Sequence, residues 1–106
     1  MTDLPQPPKK YQDFMERFPD LAKAWESMHE AGRKGPLEER TARLVKLGIA
    51  IGARLEGATH ASVRKAVRQG ISREEIEQVV ALAAGAIGLP STVAAYTWVK
   101  DVLDKK

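Results

Sequence analysis

No cysteine occurs anywhere in the chain. That absence excludes disulfides, thiolate metal sites, cysteine nucleophiles and any dithiol redox cycle. Long apolar runs are missing too. The longest, VVALAAGAIGLP, is too short and too glycine-rich to span a bilayer, so no membrane partner is expected. The N-terminus, MTDLPQPPKK, lacks the apolar segment of a secretion signal. Residues 1–9 read instead as a disordered Pro-rich lead-in to a helical domain over 10–106. Without an export signal or cysteine, the expected location is the cytoplasm. Concentrated charge is also lacking. The net charge of +3 is spread along the chain and interleaved with acids, whereas a nucleic-acid binder gathers its basic residues on one face. A nucleic-acid partner is therefore not expected. The two histidines, His29 and His60, lie on different segments, and no helical HxxxH or HxxE pair exists. Neither a metal nor another cofactor is expected on that basis.

Strand alternation and hairpin signals are absent as well, and the pattern that remains is helical. A chain of 106 residues makes one domain with a modest core. YQDFMERF places Tyr11, Phe14 and Phe18 on one side of a short helix. Pro19 opens a second helix lined by Leu21, Trp25 and Met28, and Gly32 with Gly35-Pro36 ends it. A third helix is predicted from about Leu37 to Leu55. It carries one stripe of Leu44, Leu47, Ile51 and Leu55 and a second of Val45 and Ile49. Gly48 and Gly52, four apart, suggest close approach of another helix. The fourth runs over roughly residues 58 to 69 and closes at Gly70. Ser72 and Glu75 form a capping box that starts the fifth. Its stripe of Ile76, Val79, Val80, Ala83 and Ile87 is widened by Leu82 and Ala86. Gly88, Pro90 and Ser91 then break the chain before a last helix carrying Ala95, Tyr96, Val99, Val102 and Leu103. Two helices apolar almost all round want more cover than one protomer supplies, so a homo-oligomer is expected.

RLEGATHASVRKAVRQG, residues 54 to 70, is the stretch richest in reactive side chains. With its surroundings it carries a GPL-E-x-R-T opening, an A-V-R-x-G turn followed by S-R-E-E-I, and a small-residue helix ending in G-L-P. In that order and spacing, residues 35 to 100 resemble the carboxymuconolactone decarboxylase-like family, which includes alkylhydroperoxidase D-like proteins. The resemblance implies an all-α fold, a single domain of about six helices, and assembly into trimers or hexamers. It also implies where a redox site would fall. The two cysteines of the family's CxxCxxxH motif map to Leu55 and Ala58, its histidine to Ser62, and its upstream glutamate to Arg43. None is retained, so dithiol peroxidase chemistry is excluded. Arg54, Leu55, Glu56, Gly57 and Ala58 match the RLEGA form of the cysteine-free decarboxylase branch, although that branch usually keeps a histidine where Ser62 stands.

His60 does not simply replace that histidine. At about 100° per residue, Ser62 shares a face with Leu55 and Ala58, and His60 points about 160° away from it. Only an irregular helix start near Gly57 or a register shift would return His60 to that face. The plainer reading of His60 is a core histidine satisfied by Glu56 or a backbone carbonyl. The functional reading is a catalytic pair in which Glu56 orients the imidazole and His60 transfers protons near neutral pH. Arg43 and Arg64 are candidate anchors for a substrate carboxylate, and Ser62 is a candidate hydrogen-bond donor in the pocket. The plainer reading of Arg64, Lys65 and Arg68 is a solvated face, and of Arg43 an interface ion pair. The resulting expectation is a cofactor-free, carboxy-lyase-like protein acting on or binding a small carboxylated molecule. The alternative is a non-catalytic oligomeric module that kept the fold and lost the chemistry.

Overall fold

The apolar stripes come together as six helices in the computed structural model, which describes residues 7–105. These are α1 (Lys9–Arg17), α2 (Pro19–Arg33), α3 (Glu39–Gly52), α4 (Glu56–Arg68), α5 (Arg73–Ile87) and α6 (Leu89–Leu103). No strand occurs among the described residues, and none of their helices is long and apolar enough to cross a membrane. Of the Pro-rich lead-in, residues 1–6 lie outside the described residues.

Helices α3 to α6 form a four-membered bundle. α3 packs on α4 and α5, and α6 packs on α4 and α5, which closes the ring. Each helix gives the centre one short stripe: Leu47 and Ile51, Val63 and Ala66, Ile76 and Val80, Ala95 and Val99. Spacings of three or four residues place each pair on one helix face. Ile71, between α4 and α5, seals the same core. Burying an aliphatic side chain of this size contributes roughly 1.5–3 kcal/mol. By contrast, α1 and α2 form a hairpin that contributes no buried residue.

The helix ends explain where the structure departs from the sequence-based limits. α3 stops at Gly52, short of Leu55, in a Schellman turn. The Leu55 N–H donates to the Ala50 carbonyl and the Arg54 N–H to that of Ile51. Arg54 takes the left-handed position, with φ 61°, that glycine usually fills. The same turn ends α4 with the expected Gly70 at φ 79°. α6 begins at Leu89, inside the predicted break, because Pro90 sits in the first turn, where a missing N–H leaves no bond unmade. Gly88, at φ 88°, caps α5 and α6 at once. The capping box is present in both directions. The Glu75 N–H donates to Ser72 Oγ at 3.1 Å, and the Ser72 N–H to Glu75 Oε1 at 2.9 Å.

One packing expectation needs correction within the protomer, and one is met. A Cβ on Gly48 would meet Val79 at an ordinary 3.8 Å, and one on Gly52 would meet nothing, so neither glycine admits a helix unusually close. The second apolar stripes of α3 and α5 lack cover within the protomer, as their pattern implies. Ile49 is 64% and Leu82 70% exposed, with Val45 exposed beside them in the sequence pattern.

Candidate functional site

Three helices each turn a polar stripe toward one cavity of about 470 Å³. α3 supplies Glu39, Ala42, Arg43 and Lys46, at helical spacings of three and four. α4 supplies Lys65, Arg68 and Gln69, and α2 supplies His29, Gly32 and Arg33. The linker from Lys34 to Leu37 closes the rim, and its Gly35-Pro36 pair prevents α2 from running on into α3. The volume lies within the usual range for small-molecule sites.

Charge distinguishes this cavity. Its lining holds Arg33, Lys34, Arg43, Lys46, Lys65 and Arg68, against one carboxylate, Glu39. That carboxylate already accepts from Arg33 at 3.1 Å. Arg43 is the most constrained of the cations, only 8% exposed. Its Nη1 donates to Ser62 Oγ at 3.5 Å, the outer limit of a hydrogen bond, and its buried Nε has no partner. Burial pushes its pKa below the ordinary arginine value, yet a guanidinium stays protonated. A buried charge without a counter-charge is costly, and an incoming anion removes that cost.

His29 and Lys65 feel the same field. Burial first, then Lys46, Lys65, Arg43 and Arg33, holds the His29 pKa below its ordinary value and favours the neutral ring. Its Nδ1 is buried and unpartnered. Burial, Arg43, Lys46 and Arg64 lower the pKa of Lys65, with Glu26 acting in the opposite sense. The Lys65 ammonium lies 6.0 Å from the centroid of the Trp25 ring, and that ring is 6.5 Å from the His29 ring. Trp25 therefore stands beside the cavity's lysine and histidine.

The five residues singled out from sequence fall into two groups. Arg43 and Ser62 meet on the buried α3–α4 face. Glu56, His60 and Arg64 lie elsewhere around α4 and do not line the cavity. α4 is helical from Glu56 onward, so neither an irregular start nor a register shift brings His60 round. His60 Nε2 lies 3.1 Å from Asp101 Oδ2 on α6, a partner 41 residues away that no local spacing reveals. Glu56, His60 and Asp101 bring one donor atom each within 4.8 Å of one another. This mixed nitrogen and oxygen set is open to solvent on both its carboxylate members. Arg64 is half-buried, and burial followed by Arg68 lowers its pKa. Leu55 and Ala58, at the positions of the family's cysteines, are exposed.

Sequence reasoning missed Lys46, Lys65 and His29 as cavity residues. The signal was present as R43-x-x-K46 and S62-x-x-K65, each pair on one helix face. What the sequence withheld was the angle that turns those two faces toward α2.

Comparison with known proteins agrees with this architecture. Residues 19–101 match the profile described as the carboxymuconolactone decarboxylase family. Among solved structures, the apo crystal structure of a carboxymuconolactone decarboxylase family protein from Legionella pneumophila superposes with a TM-score of 0.76. It is 21% identical, over 90% of this chain and 86% of that one. At that identity the likeness concerns the fold. A comparison with curated protein sequences gives no match.

Proposed function

The chain belongs to the carboxymuconolactone decarboxylase family, and from that premise we propose that it binds, and acts without a dithiol on, a small carboxylated molecule in the cationic cavity. The observation that carries this reading is Arg43: a guanidinium only 8% exposed, with no carboxylate paired to it among the described residues, that lines a cavity rich in cations and almost without acids. Arg43 is placed to grip a carboxylate with its planar fork. Ser62 orients that fork, and Lys46 neutralises a second negative charge. His29, unpartnered at Nδ1, takes up a proton from solvent and passes it on in a carboxy-lyase-like reaction, where a developing carbanion must receive one. The assignment of that role to His60 and Glu56 competes with this one from a different face of α4.

A thermal-shift series with small dicarboxylates and lactones decides between them, run on the wild type, Arg43→Met and His60→Ala. A ligand that binds only the folded state raises the melting temperature, by about 2.7 kcal/mol of stabilisation at a hundredfold excess over Kd. We expect a shift that survives His60→Ala and disappears in Arg43→Met. The reverse pattern would move the site to Glu56 and His60.

We also propose that the protomer self-associates through the second apolar stripes of α3 and α5. Val45, Ile49 and Leu82 are large apolar side chains left facing solvent. Such a patch marks an interaction surface. Light scattering tests this: Ile49→Lys is expected to lower the oligomeric mass, and an unchanged mass would remove that stripe from the interface.

A further inference from the structure

Lys65 follows Ser62 by one turn of α4 and stands at the wall of the cationic cavity, its ammonium group over the face of Trp25. Among the described residues, no carboxylate lies within ion-pair distance of it. Arg43 and Lys46 face it from α3 and Arg64 flanks it on α4; Glu26 on α2 is the one acid whose field reaches it. Burial and these three cations favour the neutral amine, and a desolvated lysine beside other cations is the usual form of an amine nucleophile. The groups that would draw in a carboxylate thus surround an amine able to attack a carbonyl carbon of the same molecule.

We propose that Lys65 forms an imine with a small oxo acid whose carboxylate rests on Arg43. This rests on the cavity reading above and deepens it, because it requires a ketone or aldehyde in the ligand as well as negative charge. The neutral amine adds to the carbonyl carbon. The carbonyl oxygen leaves as water, so that amine, carbonyl and one proton give a protonated imine and one water. In a 3-oxo acid the bond to the carboxylate carbon then breaks. Its electron pair moves toward the imine nitrogen, leaving an enamine and carbon dioxide. The enamine carbon takes a proton from solvent, relayed by His29, which lines the same cavity. Water hydrolyses the resulting imine and returns the free amine with a ketone. The net change is one oxo-acid anion and one proton converted to one ketone and one carbon dioxide.

The test is reductive trapping. The purified protein is incubated at neutral pH with 2-oxoglutarate and cyanoborohydride, and the adduct is located by peptide mass spectrometry. 2-Oxoglutarate suits this because its imine has no carboxylate placed for loss. We expect one adduct per chain, at Lys65, forming before any adduct at exposed Lys23, because a carboxylate held on Arg43 brings the carbonyl to Lys65 alone. Lys65→Arg should abolish it and Lys23→Arg should leave it. Release of carbon dioxide from 3-oxoglutarate should follow the same pattern. Mapping on the wild type needs no variant to fold. Adducts spread evenly over exposed lysines would overturn the proposal. A thermal shift with 2-oxoglutarate but no Lys65 adduct would overturn the imine and leave the anion cavity standing. Neither shift nor adduct would overturn both.

Discussion

Replacing Arg43 by methionine should make the free protein more stable while removing its affinity for anions. The native side chain is 8% exposed, and its one hydrogen bond inside the protein, to Ser62 Oγ, is stretched to 3.5 Å. Losing that bond removes less than about 1 kcal/mol, because a well-formed neutral hydrogen bond contributes only about 0.5–1.5 kcal/mol net. Ser62 then turns its hydroxyl toward a carbonyl one turn back in α4, as helical serines do. Against this small loss stands relief of the penalty for holding a guanidinium out of water, several kcal/mol per buried ion. The open cavity leaves part of that ion hydrated, so the net gain should be about 1–2 kcal/mol, within the range seen when buried ionic groups yield to apolar ones. In a domain of this size, 1 kcal/mol moves Tm by roughly 4 °C, giving a rise of about 4–8 °C. Calorimetry in an anion-poor buffer at fixed protomer concentration reads this directly. A fall of more than about 1 kcal/mol would refute the reasoning, by showing that Arg43 is a structural tie and not a cation kept for a ligand.

Arg54→Gly should raise stability by about 1 kcal/mol in urea denaturation, because it relieves a side chain held at φ 61° in a Schellman turn; a loss would mean that the arginine side chain stabilises the turn. Leu47→Ala empties a fully buried position at the centre of the bundle and should lower stability by about 2–5 kcal/mol in the same assay, whereas a change below 1 kcal/mol would place the core elsewhere. For His29, whose folded pKa is lowered, the unfolded chain binds the proton more readily. Stability is therefore undiminished above the unfolded value of 6.5 and falls as pH drops below it, levelling off beneath the lowered folded pKa. His29→Gln should flatten that part of the stability–pH curve, and an unaltered slope would assign the effect to other groups.

The bundle was legible because its stripes repeat at three and four residues and its capping box is local; Ile76 and Val80, or Ser72 and Glu75, need no knowledge of the rest of the chain. The end of α3 was not legible, since its turn places arginine where glycine is the usual sign. The site was legible in halves. Arg43 lines the cavity, whereas Ser62, its buried neighbour, does not, and the helical wheel separates His60 from Ser62 just as the folded chain does. His29 was set aside for lying on another helix, yet packing brings it to the cavity. Asp101 beside His60 was hidden for the same reason: no sequence period relates α4 to α6.

The hairpin of α1 and α2 holds one wall of the cavity without contributing to the buried core. Among its ties to the bundle are Arg33 to Glu39 and Trp25 to Lys65, both at the surface of the domain. Substitutions along α2 can therefore reshape the cavity wall while leaving the domain folded, whereas changes to the bundle core would remove a large share of a small domain's stability at once. The stretch from Trp25 to Leu37 is thus the part of the cavity wall that can be redesigned most cheaply, and the place to start in engineering what the cavity would hold.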